Sequence, residues 1–304
     1  MHKTTNRRKF IKTTGIITAG ALVGLPQQLF STESTGGLPS IVVTKNGTPE
    51  ALTRKAVELL GGMSKFVNEG DTVVVKPNIG WDRKPEQAAN THPGVVAETI
   101  KMCYEAGAKK VLVFDRTCNS AKRCYASSGI EEAAKNAGAD VFHMVKAGYK
   151  EYEMPGNKHL ESWPLYTLAM EADCLINIPV AKHHSIAGLT LAMKNLMGIM
   201  GGKRAEIHWK IHKYLPELAA FVKPKLNVID ATRILTANGP QGGNLKDVKK
   251  MDTVIASADI ASADAYATTL FGRKPTDIGH IVNGPELGLG EIDIEKMNLK
   301  VAEI

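Results

Sequence analysis

Between Ala172 and Phe221 the chain concentrates residue types that can hold or transform a small charged molecule. Lys182, His183 and His184 follow a short apolar run, and Lys194-Asn195 follows a segment of small residues. Lys203-Arg204 then follows the glycines at 198, 201 and 202. Four of the nine histidines (His183, His184, His208, His212) lie in this stretch. Lys182, His183, Lys194, Asn195 and Arg204 together make a basic group suited to a carboxylate or phosphate, with the planar fork of Arg204 able to clamp it through two hydrogen bonds. The competing explanation is a solvated basic surface. Lys76 and Asn78, just after another apolar run, are candidates for the same ligand. Lys182, His183 and Asp115 are the candidate acid–base groups.

Cys118 and Cys124 lie six positions apart in the loop DRTCNSAKRCYASSG. That loop is long enough to wrap a metal, yet the spacing matches no standard zinc or cluster signature, and a small disulfide-closed loop is an equal alternative. His208 and His212 stand at i and i+4, which places both imidazoles on one face of a helix. Two Cys and two His would complete a tetrahedral metal site. Trp209, Lys210 and Ile211 lie between the histidines, so the Glu of an H-E-x-x-H protease is missing. Gly198–Lys203 has the wrong glycine spacing for a phosphate-binding P-loop, and Arg204 stands where that motif needs Ser or Thr. Neither G-x-G-x-x-G after a strand nor G-x-S-x-G occurs, so dinucleotide and serine-hydrolase readings lack support. Cys103 and Cys174 sit within apolar patterns and read as buried thiols.

A chain of 304 residues has ample length for one large domain or two lobes. The formal charge is +7, but residues 1–36 carry five Lys/Arg against one Glu. The body is therefore only mildly basic, which gives no reason to propose nucleic-acid binding. Asn6-Arg7-Arg8-Lys9-Phe10-Ile11-Lys12, followed by an apolar run to Leu25, resembles a twin-arginine export signal. That resemblance implies passage through the twin-arginine export machinery, and a periplasmic protein or one tethered by an uncleaved signal. The route carries folded proteins, often with cofactors already inserted. Residues 1–37 are thus read as signal and linker, and 38–304 as a single α/β domain.

Apolar strand patterns at 41–43, 71–76, 110–115, 140–144, 174–179, 226–230 and 254–257 alternate with helical spacing at 49–60, 93–106, 130–136 and 260–271. This predicts an α/β fold, a mostly parallel doubly wound sheet in one or two lobes. Residues 147–170 break the rhythm and read as a hairpin or excursion, and 298–302 as a final edge strand. In such sheets ligands bind beyond the carboxyl ends of the strands. Lys76-Pro77-Asn78, Asp115–Cys118, Pro179–His184 and Asp230 all fall there.

Val74-Val75-Lys76-Pro77-Asn78, Thr91-His92-Pro93, Asn177-Ile178-Pro179 with Lys182 and His183, Lys194-Asn195-Leu196-Met197-Gly198, His208, Asp230 and Gly239-Pro240 occur in an order that resembles the domain-of-unknown-function family 362. The resemblance spans roughly residues 70–270, and the Lys-Asn-Leu-Met-Gly segment is its most specific part. Members of that family sometimes occur in iron–sulfur proteins. The resemblance therefore implies a redox role, with an iron–sulfur cluster held by Cys118, Cys124, His208 and His212. It also implies an electron-transfer partner and a small anionic ligand. The chain lacks the C-x2-C-x2-C run of attached ferredoxin motifs, so histidine would have to complete the ligand set. The alternatives are a zinc-dependent or metal-free enzyme acting on a carboxylate or phosphate ester, and an anion-binding module without catalysis.

Overall fold

The computed structural model describes residues 37–304; the export-signal residues fall outside the described residues. The strands are β1 (Ile41–Lys45), β2 (Thr72–Pro77), β3 (Lys110–Val113), β4 (Asp140–Val141), β5 (Tyr149–Glu153), β6 (Ser162–Tyr166), β7 (Cys174–Ile178), β8 (Val180–His184), β9 (Gly188–Thr190), β10 (Leu226–Leu235), β11 (Val248–Ser257) and β12 (Leu299–Glu303). The main sheet runs β12-β1-β11-β10-β7-β2-β3-β4, and β8 joins it by pairing with β10 and β9. β5 and β6 form a separate antiparallel pair, the hairpin excursion that the irregular 147–170 segment predicts.

The sheet is mixed. β10, β7, β2, β3 and β4 are parallel, whereas β11 runs antiparallel to both β1 and β10. β10 and β11 are joined by a loop that returns directly to the same edge, and a strand so connected must run back along its predecessor. A crossover helix between them would have kept the direction.

The central strands are apolar throughout because both faces are covered. Val73 and Val75 pack with Val42, Val57 and Val96, and Ile100 joins them from the helix Pro93–Glu105. Val74, between the two, points to the opposite core with Val43, Leu215, Ile229 and Ala261. Successive residues of a strand alternate faces, so one tripeptide serves both cores. The helix Pro49–Leu59 starts with proline, and Thr48 Oγ1 accepts from the Ala51 N–H at 3.3 Å. Pro93 opens its helix in the same way, with His92 Nδ1 accepting from the Gly94 N–H at 3.1 Å. Proline at the first helical position loses nothing, since its missing N–H would have had no partner there. No described helix is long and apolar enough to cross a membrane.

Candidate functional site

A cavity of about 300 Å³ opens beyond the carboxyl ends of the parallel strands. Asn78, Gly80 and Trp81 reach it after β2, Asp115, Arg116 and Cys118 after β3, and Lys182 and His184 from β8. Thr190, Lys194, Asn195, Gly198, Arg204 and His208 also line it, beside apolar Ile186, Met197 and Pro240. Asp115 is the one carboxylate among the described lining residues.

That carboxylate is already engaged. Asp115 Oδ1 accepts from Lys76 Nζ at 2.7 Å, and Oδ2 accepts from the Ile79 N–H at 2.7 Å. Lys76 is fully buried and also donates to the Pro77 carbonyl at 2.9 Å. Burial lowers its pKa, against the pull of Asp115. Lys76, expected to bind substrate, is thus an internal counter-ion and does not line the cavity. Gly198 lies directly over the pair: a Cβ there would collide with the Asp115 carboxylate and the Lys76 ammonium. This is a physical reason for the glycine in Lys-Asn-Leu-Met-Gly.

Lys182 is 1% exposed and donates to Asn78 Oδ1 at 3.1 Å and, through a short bond, to the Ala89 carbonyl. An ammonium has three donors, so one remains for the cavity. Burial, together with Lys194 and Lys76 nearby, lowers Lys182 to about 7. Lys194 has no hydrogen-bond partner among the described residues, and burial with Arg204 close by lowers it to about 7 as well. The Thr190 hydroxyl is buried, lines the same cavity and is also without a partner.

Arg204 does not present a free fork. Its Nη1 donates to the carbonyls of Arg116 at 2.9 Å and Met197 at 3.3 Å, and its Nη2 to the Thr117 carbonyl at 3.5 Å and to Cys118 Sγ at 3.4 Å. The bidentate clamp expected of it is replaced by a brace that fixes the Arg116–Cys118 loop and lends the cavity a positive charge. Asn195, 2% exposed, is held in a chain of amides and reaches the cavity wall with Asn78.

His183 is turned away from the cavity. β8 alternates, so Lys182 and His184 face inward while His183 faces outward, where its Nδ1 accepts from the Gly239 N–H at 3.1 Å. The imidazole on the cavity wall is the next one along. His184 Nδ1 accepts from the backbone N–H groups of Ile186 and Ala187, each at 3.2 Å. A nitrogen that accepts carries no proton, so neutral His184 holds its proton on Nε2. Burial and the neighbouring Lys194 press its pKa far down. His208 stacks on His184 with ring centroids 5.6 Å apart, and its Nδ1 lies 3.0 Å from the Ala205 carbonyl. A carbonyl can only accept, so His208 carries its proton on Nδ1 and leaves Nε2 with a lone pair. Two stacked imidazoles of opposite tautomer therefore meet at the wall, and burial lowers the pKa of His208 too. The strand period, applied from Lys182, would have singled out His184.

The structure does not bring the four proposed metal ligands together. The chain is a 3₁₀ segment from Arg204 to Lys210 and becomes an α-helix only at Ile211, so His208 and His212 do not share a helical face. His212 pairs instead with buried His280, their Nδ1 atoms 3.2 Å apart. Cys124 is buried, with its thiol toward the Gly80 carbonyl at 3.8 Å, while Cys118 is exposed; both are free thiols, so the disulfide alternative is not formed either. Among the described residues no three of His, Cys, Asp and Glu are grouped to hold a metal ion, so the residues present do not fit an iron–sulfur cluster or a four-ligand zinc site.

Comparison with known proteins agrees with this architecture. Residues 73–269 match the family described as "Domain of unknown function (DUF362)", and the chain belongs to that family. It is 29% identical over 251 residues to the "Thylakoid-associated protein sll1697" of Synechocystis sp., covering 80% of this chain and 76% of that protein. In fold it resembles the lactate racemase apoprotein from Thermoanaerobacterium thermosaccharolyticum, with a TM-score of 0.50 at 13% identity. That similarity covers 75% of this chain and 56% of the racemase, so this chain matches little more than half its length.

Proposed function

We propose that the protein is an enzyme that binds a small carboxylate in this cavity and moves a proton on it. One observation carries the reading: Lys182, Lys194 and Arg204 surround a space whose single carboxylate, Asp115, is already neutralised by Lys76. The volume is at the small end for ligand sites, which favours a compact anion. Lys194 and the Thr190 hydroxyl supply unfilled donors for it. His208 Nε2 keeps a lone pair that can accept a proton, neutral His184 keeps an Nε2–H that can donate a hydrogen bond, and Lys182, its pKa lowered to about 7, is the group that can give or take a proton near neutral pH. The similarity in fold to a lactate racemase makes a 2-hydroxy or 2-oxo acid the first class to test.

A redox role on an iron–sulfur cluster is the weaker reading, because of its four expected ligands only Cys118 and His208 share the cavity. Export by the twin-arginine route, to the periplasm or to a membrane tether, is read from Asn6–Lys12 and the apolar run that follows, and residues 38–304 are read as one α/β domain.

The test is a titration of Trp81 fluorescence with small 2-hydroxy and 2-oxo carboxylates and with inorganic phosphate, alongside proton NMR of the same acids in deuterated buffer. Saturable quenching should weaken about ten- to hundredfold in Lys194→Met, the loss expected for one charged hydrogen bond. Deuterium should enter at C2 of a 2-hydroxy acid or at C3 of a 2-oxo acid, and this exchange should be lost in His208→Gln. Absence of saturable binding to any of these anions would overturn the proposal.

A further inference from the structure

Four asparagines form an unbroken line of hydrogen bonds across the sheet to Lys182. Lys182 Nζ donates to Asn78 Oδ1 at 3.1 Å, and Asn78 Nδ2 donates to Asn195 Oδ1 at 3.0 Å. Asn195 Nδ2 donates to Asn177 Oδ1 at 2.9 Å, and Asn177 Nδ2 to Asn227 Oδ1 at 3.0 Å. Asn227 Nδ2 ends the line on the carbonyls of Ser257 at 3.4 Å and Ala258 at 3.5 Å. The sheet register makes this possible, since Asn177 of β7 lies beside Asn227 of β10, and Asn227 beside Ser257 of β11.

The direction of the line is not free. Asn195 Nδ2 also reaches the Lys76 carbonyl at 3.3 Å, and Asn177 Nδ2 the Ala192 carbonyl at 3.0 Å. Carbonyls cannot donate, so reversing either amide would set oxygen against oxygen. With Asn195 held, Asn78 must turn its Nδ2 toward it and its Oδ1 toward Lys182. Amides aligned head to tail polarise one another, which concentrates negative charge on the last oxygen. Asn177, Asn195 and Asn227 are 0–2% exposed, so water does not short-circuit the line.

We infer that Asn177 and Asn227 are positioning residues for Lys182: acting through Asn195 and Asn78, they hold an oriented acceptor against its Nζ and so leave its remaining N–H to the cavity. The inference deepens the assignment of Lys182 as a proton-transferring group. Neither asparagine lines the cavity, so an effect on Lys182 has to travel along the amides.

The test is NMR titration of the full chain labelled at lysine Cε, with the Lys182 and Lys194 signals assigned by their loss in Lys182→Met and Lys194→Met. A hydrogen bond to the charged form of a group favours that form. Asn177→Leu should therefore lower the Lys182 midpoint by about half a pH unit or more, with Lys194, which has no amide partner, unmoved. Asn227→Ser, which keeps a hydroxyl in the sheet, should shift it the same way by less, and carries the test if Asn177→Leu does not fold. An unchanged Lys182 midpoint, or Lys182 and Lys194 moving together, overturns the inference. The readout needs no substrate, so a failure to bind carboxylates would sink the proposed function and leave this result standing.

Discussion

Lys76 Nζ and Asp115 Oδ1 are 2.7 Å apart, with side chains 0% and 4% exposed, at the floor of a cavity whose other charged lining residues are all basic. The pair joins the ends of two adjacent parallel strands, β2 and β3, and the carboxylate also holds the Ile79 N–H. Neutralising the only carboxylate of the wall from below leaves Lys182, Lys194 and Arg204 for whatever enters from above. Architecture and electrostatics of the site thus depend on one contact.

Breaking that contact from one side should destabilise the fold strongly. Asp115→Ala strands a buried ammonium, and the expected loss in urea unfolding is about 3–5 kcal/mol. Replacing both partners with apolar residues, Lys76→Met with Asp115→Leu, should restore most of it, because no buried charge is then left unpaired. A single variant as stable as the parent would show that the pair is not the floor described here.

Stability should also fall on mild acidification, and His280 is the group to watch. It is fully buried, its Nε2 has no partner among the described residues, and its Nδ1 faces His212 Nδ1 at 3.2 Å. Burial, with His212 adding to it, lowers the folded-state pKa from 6.5 to about 3. A depressed histidine leaves the unfolded chain binding more protons, so this contribution is complete above pH 6.5 and is lost as pH falls toward 3. The melting temperature should drop across that window, and His280→Met should flatten the drop. An equally steep fall in His280→Met would assign it to other groups, His184 first.

Thiol chemistry separates the structure from the disulfide alternative. Cys118 is exposed, whereas Cys103, Cys124 and Cys174 are buried, and all are free. Burial raises the pKa of each of the three buried thiols, Cys174 to about 11, which slows them further. One thiol should react quickly with a disulfide reagent in the native protein and four after denaturation. Two in the denatured, non-reduced protein would mean that Cys118 and Cys124 are joined after all.

Much of the frame was legible without coordinates. Apolar runs such as Thr72–Lys76 and Cys174–Ile178 mark strands buried on both faces, and Pro49 and Pro93 mark helix starts, because these are local consequences of burial and backbone geometry. The site was legible as a neighbourhood. Lys182, Lys194, Asn195 and Arg204 do surround one cavity, with Asn78, Asp115 and Cys118.

Which atoms of that neighbourhood face each other was decided by packing. His183 and His184 are adjacent and chemically identical, and only the phase in which β8 joins β10 turns one outward and the other toward the cavity. The i, i+4 spacing of His208 and His212 implies a shared helical face, but the helix begins at Ile211 and His212 meets His280, 68 residues away. β11 runs antiparallel because the chain returns to the same edge after β10. The amide line joins residues from positions 78, 177, 195 and 227, and nothing in any one of these segments links it to the others. The sequence by itself determined the elements, through local periodicity and backbone preference. The pairing of side chains was determined by strand phase and by contacts between residues far apart in the chain, and these exist only once the sheet has assembled.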